Sequence, residues 1–405
     1  MELLRRAPGF RLLFFATLAS SIGTWLAFVA LVVDVFDRTG DANWVSGLLI
    51  VEFLPIVAIG FFAGRLIDRV SRRWILIAAD AARAGVFFVL PFTTSALQIV
   101  MLAFAAGIAT SLFRPAVYAG LPNLVSDDDL PQANGILQTA DNLTWTIGSI
   151  VGGALVAVTS PDVAYVVNAI SFVVSALLVV RIHERFEEAE RGPSRGGWRD
   201  FVEGLSLAFR SRALLTVLVA WSIVMLANAG VNVSEVVLAK HVFSAGDFGY
   251  GLLVGATGLG LVIGSVFGGT WIAQRGLAVP YAVSIGLMAL GFGAASAAPN
   301  VWIAALVVIA AGAGNGVAVV TNALLVQRGA PDRLRGRAFT VVMSVGYAFL
   351  GAGMIVAGPL TNAIGARAVW GIAAGLTALG AAAGLVLIRG VSAEARPGGV
   401  VPASD

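Results

Sequence analysis

Twelve apolar stretches alternate with polar gaps along this 405-residue chain, and most of the gaps are short. A helical span needs roughly 20 apolar residues to cross about 30 Å of hydrocarbon. The pattern predicts spans over 11–36, 44–67, 74–93, 97–121, 132–158, 162–182, 213–239, 247–273, 278–297, 300–326, 338–363 and 367–388. Helices are the expected element because in lipid every backbone polar group must find its partner within the segment. The fold class expected is an all-α polytopic membrane protein, with no room left for a soluble catalytic domain.

One polar gap is longer than the rest. Arg181 to Arg212 contains His183, the run Glu187 to Glu190 and a Gly/Pro/Ser segment from Gly192 to Gly197. It divides the chain into a six-helix bundle over 1–183, a linker over 184–212, a second six-helix bundle over 213–389 and a tail over 390–405. Within the linker, Trp198, Phe201, Val202, Leu205 and Phe209 recur at helical spacing beside Arg199, Glu203, Arg210 and Arg212. That spacing predicts an amphipathic helix on the inner leaflet, its arginines near anionic lipid; a solvated linker with incidental hydrophobics is the plainer alternative. The two halves resemble each other at an offset of 204 residues, which sets Gly64 over Gly268 and Leu130 over Leu334. Parallel six-span repeats are the architecture of rocking-bundle transporters.

Composition agrees with the pattern: 58% hydrophobic residues, 12% charged and a mean hydropathy of +0.90. A soluble protein of this size would carry far more surface charge. A net charge of +3 and a pI near 9.7 would suit nucleic acid if the basic residues clustered. Instead, 21 of the 26 fall in alternate gaps, on the same side as Arg5 and Arg6, leaving Arg38, Lys240 and Arg367 to the other side. This asymmetry predicts both termini in the cytoplasm and no nucleic-acid partner. The lone lysine among 25 arginines points to a GC-rich bacterial genome, hence the cytoplasmic (inner) membrane. The first span follows Arg5 and Arg6 as a signal peptide would, but its apolar run continues to Asp34 without a small-residue cleavage site, so it is read as retained.

With no cysteine, disulfides, thiolate metal sites and a cysteine nucleophile are ruled out. His183 and His241 have no partners at ligand spacing, and no phosphate-binding loop or hydrolase signature occurs. No catalytic residue, metal or cofactor is expected, and the chain does not read as an enzyme. Energy for transport would come from an ion gradient or from the substrate's own gradient.

Charge inside a span is costly, so each case is a functional candidate. Glu52, three residues before Pro55 in the second span, is the leading protonatable group, its alternative being a structural hydrogen bond. Asp34 near the end of the first span is a second candidate or a solvated helix end. Asp141 follows Asn134 and Gln138 at helical spacing, and Glu235 follows Asn228 and Asn232 in the same way. Such stripes suit a water-filled cavity better than lipid, where amides would lack partners. Asp80 and Arg83, at i and i+3, are expected to pair as a structural element. Trp25, Phe28, Trp145, Phe172, Trp221 and Met225 are available to an apolar cavity, although most aromatics must be core or lipid contacts.

After the second span the chain reads Gly64-Arg65-Leu66-Ile67-Asp68-Arg69-Val70-Ser71-Arg72-Arg73. This resembles the signature loop of the major facilitator superfamily, and the second half keeps Gly268 and Arg275 but has Ile272 where the acid would stand. Ser21 to Trp25, Ser111 to Ala116, Leu121 to Val125 and Arg335-Gly336-Arg337 are similar to the superfamily's drug-exporter branch, typified by bacterial macrolide efflux proteins and the enterobactin exporter. Gly148-Ser149-Ile150-Val151-Gly152-Gly153 is similar to that branch's antiporter signature, with Ser149 in place of proline. The resemblance implies a major facilitator fold and proton-coupled efflux of amphipathic small molecules, read as the work of a monomer; because the spans hold almost no basic residue apart from Arg83 and Arg114, hydrophobic neutral or cationic substrates are expected. It also implies a cytoplasmic latch of Gly64, Asp68, Arg69, Arg72, Arg73 and Arg114, in which Arg114 bridges Asp68 or the acids Asp127 to Asp129; snorkelling of Arg114 to the interface is the simpler alternative. Glycines at 148, 152 and 153, like those at 260, 264 and 268, let helices approach closely. The rival readings are a dedicated exporter of an endogenous metabolite such as a siderophore, and a non-transporting sensor on a transporter fold.

Overall fold

The computed structural model describes residues 2–67, 71–183, 197–331 and 334–388; for 56–67 and 197–201 it describes the backbone only. Among the described residues the secondary structure is entirely helical. A short α1 (Glu2–Arg6) precedes six long helices, α2 (Pro8–Thr39), α3 (Ala42–Ile67), α4 (Arg72–Val89), α5 (Ala96–Gly120), α6 (Leu130–Val158) and α7 (Pro161–Val180). The amphipathic α8 (Gly197–Arg210) follows. Six further long helices complete the chain: α9 (Arg212–Val237), α10 (Gly246–Arg275), α11 (Ala278–Ala297), α12 (Val301–Gly329), α13 (Arg335–Ile364) and α14 (Ala366–Ile388). Ten helices are long and apolar enough to cross a membrane, and α3 contributes the shorter apolar stretch Ala42–Pro55. The remaining long helix, α6, is polar over its first three turns.

Local chemistry places the helix ends. Gly40, at φ +63°, closes α2 by turning its N–H back to the Phe36 carbonyl. Ser95 and Gln98 form a reciprocal cap at the start of α5, and Asn300 caps α12 through the N–H groups of Trp302 and Ile303. The sequence predicts a third span over 74–93; Pro91 ends it early, and Leu90–Phe92 form a 3₁₀ turn instead.

The internal repeat is geometric as well as sequential. Pro8 and Arg212 begin corresponding helices 204 residues apart, as do Ala42 and Gly246. In the first set α2 packs on α6 and α7, α3 on α5, and α4 on α5 and α7; in the second, α9 packs on α13 and α14, α10 on α12, and α11 on α12 and α14. The sets meet along two seams, α6 against α10 and α3 against α13, while α9 touches α2 and α3. With six long helices in each set, the chain returns to the side it started from, and α1 and the end of α14 lie at one end of the molecule, the termini end.

Different forces hold the two sets together. In the first, Arg83 donates to Asp80 at 2.5 Å, Ser175 donates to the same carboxylate at 2.7 Å, and the guanidinium lies 4.2 Å from the rings of both Phe113 and Phe172. Both charges are buried, at 3% and 0% side-chain exposure. The expected i, i+3 pairing is thus present, reinforced by α7 and two aromatic faces. In the second set, α10 and α12 touch backbone to backbone: a Cβ on Gly260 would lie 2.1 Å from the Ile309 carbonyl oxygen, and one on Gly264 2.0 Å from that of Ala313. Small residues allow this approach where lipid supplies no hydrophobic drive.

Candidate functional site

The seam between the sets is closed at the end remote from the termini. Lys240, in the π-helical turn Leu238–Val242, reaches across to Asp37 of α2 and also donates to Asp247 of α10 at 2.6 Å. Asn362 of α13 donates to Asp41 at 2.5 Å, and the Ala42 N–H returns a bond to Asn362 at 3.2 Å. Asp41 also accepts from the Asn43 N–H; that bond, followed by the Asn362 amide, holds its carboxyl below the ordinary aspartate value. Beside these contacts His241 packs on Phe36 at 5.0 Å.

Glycines carry the closure part of the way toward the middle. A Cβ on Gly153 would lie 2.8 Å from the Cα of Gly251, one on Gly255 3.0 Å from the Thr146 carbonyl oxygen, and one on Gly358 2.9 Å from the Cα of Asn43. Gly148 and Gly152 face Trp25 and Leu26 within the first set instead. Nearer the termini end, Asn134, Gln138 and Arg114 are exposed. Asn134 donates to its own helix at Leu130 and Gln138 to Asn142, so both amides stand open at that end.

Four intramembrane acids were candidates, and the structure divides them into pairs. Asp34 is occupied: Arg38 grips both its oxygens at 2.6 and 3.0 Å, and Tyr165 of α7 donates at 2.9 Å. Asp141 takes Arg114 at 2.8 Å and Ser21 at 3.0 Å. Glu52 and Glu235 have neither an ion pair nor a hydrogen bond to their carboxyls among the described residues. Glu52 is half-buried in α3; Glu235 is 6% exposed in α9, and its Oε1 lacks any hydrogen-bond partner. They belong to opposite sets. Asn228 and Asn232 are half-buried on the turns of α9 before Glu235.

At the termini end, among the described residues, Arg114 bonds Asp141 within the first set, while Asp129 takes Arg6 at 2.5 Å; the expected bridge from Arg114 to Asp68 falls on a residue outside the described ones. Asp141, on α6, is half-buried, whereas Asp127 and Asp128 stay solvated. Arg72 caps the end of α5 through Ala119 and Asn123, both at 2.8 Å, and Arg73 caps α7 at Val180. These arginines neutralise carbonyl ends of helices, where positive charge is favoured. Gly64 lies in the backbone-only stretch of α3; Asp68 and Arg69 lie outside the described residues.

Several residues at the seam and in the interior carry little signal in the sequence. Tyr250, 1% exposed on α10, has no charge to mark it. Lys240 was placed in an outer loop and left there, although its being the chain's one lysine was a usable signal. Asn315 and Asn322, two helical turns apart on α12, bury amide groups with unpartnered atoms, and no spacing rule separated them from core polar residues. Trp25 and Trp145 stack at 5.0 Å with Phe28 edge-on at 5.6 Å, one turn from Asp141.

Comparison with known proteins agrees with this architecture. The family model described as Major Facilitator Superfamily matches residues 13–347. The multidrug efflux pump Tap of Mycobacterium tuberculosis is 26% identical over 382 residues, covering 90% of each chain. The putative bacilysin exporter BacE of Bacillus subtilis is 25% identical over 374 residues, covering 90% of this chain and 91% of its own. Among solved structures, the nucleoside transporter NupG superposes with a TM-score of 0.74 at 13% identity, covering 96% of this chain and all of its own. A bacterial homologue of the human lysosomal transporter Spinster, in an inward-facing unoccupied conformation, gives 0.78 at 12% identity and covers 97% and 99%. At these identities the superpositions speak for the fold.

Proposed function

The chain belongs to the Major Facilitator Superfamily, and from that premise we propose that it is a secondary active exporter of amphipathic small molecules that exchanges substrate for protons. It is a multi-pass membrane transporter rather than an enzyme. In the proposed cycle the first and second six-helix sets rock as bundles about the α6–α10 and α3–α13 seams, giving alternating access.

One observation carries this reading. Lys240–Asp37 and Asn362–Asp41 join the sets at the end remote from the termini, and two acids without a partner among the described residues stand behind that closure. With the termini cytoplasmic, as the distribution of basic residues indicates, these bonds close the outer side, as an exporter that loads from within requires. Glu235 lies five residues before Lys240, on the order of one and a half turns, or about 8 Å along the helix. Glu52 lies ten residues inside α3, about 15 Å from its start. Each proton moving inward across 100 mV contributes about 2.3 kcal/mol to such a cycle. The signature residues Gly64, Asp68, Arg69, Arg72 and Arg73 would steady the cytoplasmic surface of the first bundle, and α8 would lie along the inner leaflet.

Neutral or cationic hydrophobic substrates fit best. Arg83 and Arg114 both carry acid partners, so the interior offers no spare positive charge, whereas Glu52 and Glu235 are uncompensated. The Trp25–Trp145 stack adds an aromatic face suited to such cations. The reading takes the protein as a monomer in a bacterial inner membrane. A second reading, export of one specific endogenous compound, is favoured by the likeness to a putative bacilysin exporter.

Inverted membrane vesicles with an imposed proton gradient separate these readings. Addition of macrolides, lipophilic cations or siderophores is expected to collapse the gradient for a lipophilic cation. A folded protein that moves protons with none of these compounds overturns drug antiport.

A further inference from the structure

We propose that Asn315 and Asn322 of α12 form a hydrogen-bonding site in the second set for the polar end of an uncharged substrate, one that carries an amide or hydroxyl group beside an apolar body. The proposal rests on the export reading above and assigns a substrate class to one face of the interior.

Asn322 is 8% exposed, and neither its Oδ1 nor its Nδ2 has a hydrogen-bond partner among the described residues; the Oδ1 of Asn315 lacks one too. Polar groups in a folded interior are otherwise paired, because an amide left alone away from water costs the desolvation of both its ends. The two residues are seven apart on α12, two helical turns, and so share one face about 10 Å from each other along the axis. Asn322 offers an acceptor and a donor side by side, the match for a ligand amide or for neighbouring hydroxyls, and Asn315 offers a second polar contact deeper in the bundle.

Glycine contacts fix which way this face points. A Cβ on Gly312 or Gly316 would meet the carbonyls of Thr257 and Leu261 on α10, and one on Gly314 that of Ser284 on α11. Gly329, seven residues beyond Asn322, lies instead against Ser211, Ala213 and Leu214 at the start of α9. Residues 315, 322 and 329 therefore form one stripe turned toward α9. On α9 the stripe that begins at Leu214 continues at the same interval through Trp221 and Asn228. The two helices pack together, α9 starting at the termini end and α12 finishing there. Their register sets Asn322 level with Trp221 and Asn315 level with Asn228. Trp221 is buried and supplies an apolar wall, while Asn228, half-buried, brings a third amide. Over this length neither stripe carries a charge, so selection here is by hydrogen bonding rather than by ionic attraction.

The first set has no counterpart. At the repeat offset Asn315 falls on Ser111, whose hydroxyl is spent on the Ile108 carbonyl at 2.6 Å, and Asn322 falls on Tyr118. The amides are thus particular to the second set and not part of the scaffold that the repeats share.

Binding and counterflow in proteoliposomes test this with two probes. Chloramphenicol is an uncharged amphiphile with an amide and two hydroxyls; tetraphenylphosphonium is a lipophilic cation with no hydrogen-bonding group. Asn322→Leu keeps the volume and removes the unpartnered atoms, so it is expected to unfold at the same or a higher temperature. It should weaken chloramphenicol about tenfold more than tetraphenylphosphonium, the loss of two hydrogen bonds. Asn315→Leu should show the same selectivity at about threefold, for one bond. Thr377→Val removes another buried, unpartnered hydroxyl, on α14, and should share the effect on stability while leaving the ratio of the two affinities alone. An Asn322→Leu protein that keeps its chloramphenicol affinity holds only water at that amide, and overturns the site. Equal losses for both probes overturn it as well, since a hydrogen-bonding site cannot discriminate against a ligand that makes no such bond. Wild type that carries tetraphenylphosphonium and not chloramphenicol overturns the site alone; wild type that carries neither overturns the export reading and the site with it. Should Asn322→Leu fail to fold, Asn322→Ala carries the same predictions of selectivity.

Discussion

The two repeat sets share a helix order and differ in what binds them. The first is threaded by paired charge: Asp80 with Arg83 fully buried, Asp34 with Arg38 and Tyr165, and the more exposed Asp141 with Arg114. The second has no such interior pair among the described residues; its helices close through Gly260, Gly264, Gly312 and Gly316, and its one interior acid is the unpaired Glu235. At the repeat offset position 80 falls on Ser284 and position 114 on Ala318, so the scaffold works with neutral residues at these places. Charge in the first set is one way of holding four helices. Charge in the second, having no structural partner, is left free to bind something that moves.

The largest expected effect comes from breaking the buried pair in the first set. Arg83→Ala leaves Asp80 ionised in the core, which costs about 3–5 kcal/mol, and removes a cation held between two aromatic rings. Thermal unfolding in detergent should show a steep loss of stability. Asp80→Asn with Arg83→Met, which imitates the neutral second set, should recover most of it. If the double variant is no better than Arg83→Ala, the first set depends on charge in a way the second does not explain.

A smaller loss is expected from the second set's own device. In Gly264→Ala the new methyl would sit 2.0 Å from the Ala313 carbonyl oxygen, and backbone cannot swing aside as a side chain can. The forced separation of α10 and α12 should cost about 1–3 kcal/mol. Gly269→Ala, with nothing within 4 Å, is the control and should be neutral or stabilise by up to about 1 kcal/mol through helix propensity. Gly107→Ala in the first set meets atoms at 3.2–3.3 Å, near the Pro55 kink, and should fall between the two. Equal losses for Gly107→Ala and Gly264→Ala in the same unfolding assay would erase the distinction between the sets.

What the sequence disclosed follows from the range of each interaction. Spans were legible because bilayer thickness and backbone satisfaction act on contiguous residues, and Asp80–Arg83 was legible because i, i+3 neighbours share a helix face. The bond from Arg114 to Asp141 was not legible because its partner lies 27 residues away on another helix, at a distance only packing sets. Lys240 and Asp37, 203 residues apart, meet only because the repeats dock. Glu52 and Glu235 could be singled out as costly charges, but their being unpaired, which separates them from Asp34 and Asp141, is a property of the folded chain. The repeat offset of 204 was visible from thin identity and proved to be the register of the helices themselves.

The smallest effect sharpens the comparison where the sets touch. Asp41 is held below the ordinary value of 3.8, first by the Asn43 N–H and then by the Asn362 amide. A lowered carboxyl contributes to closure above its ordinary value, and that contribution is lost only as pH falls through the lowered one. Between about pH 5 and pH 8 the bond to Asn362 is therefore constant, and any pH response of the seam in that range must arise from another group. Because the chain has no cysteine, Val163→Cys and Ala363→Cys can carry spin labels on opposite sets without background. Asp41→Asn should widen the label distance slightly at every pH and leave its pH midpoint in place, whereas Glu235→Gln should flatten the response. A midpoint near neutrality that disappears with Asp41→Asn would move the proton sensor from the buried acids to the gate itself, and the unpaired charge of the second set would then have to be explained in another way.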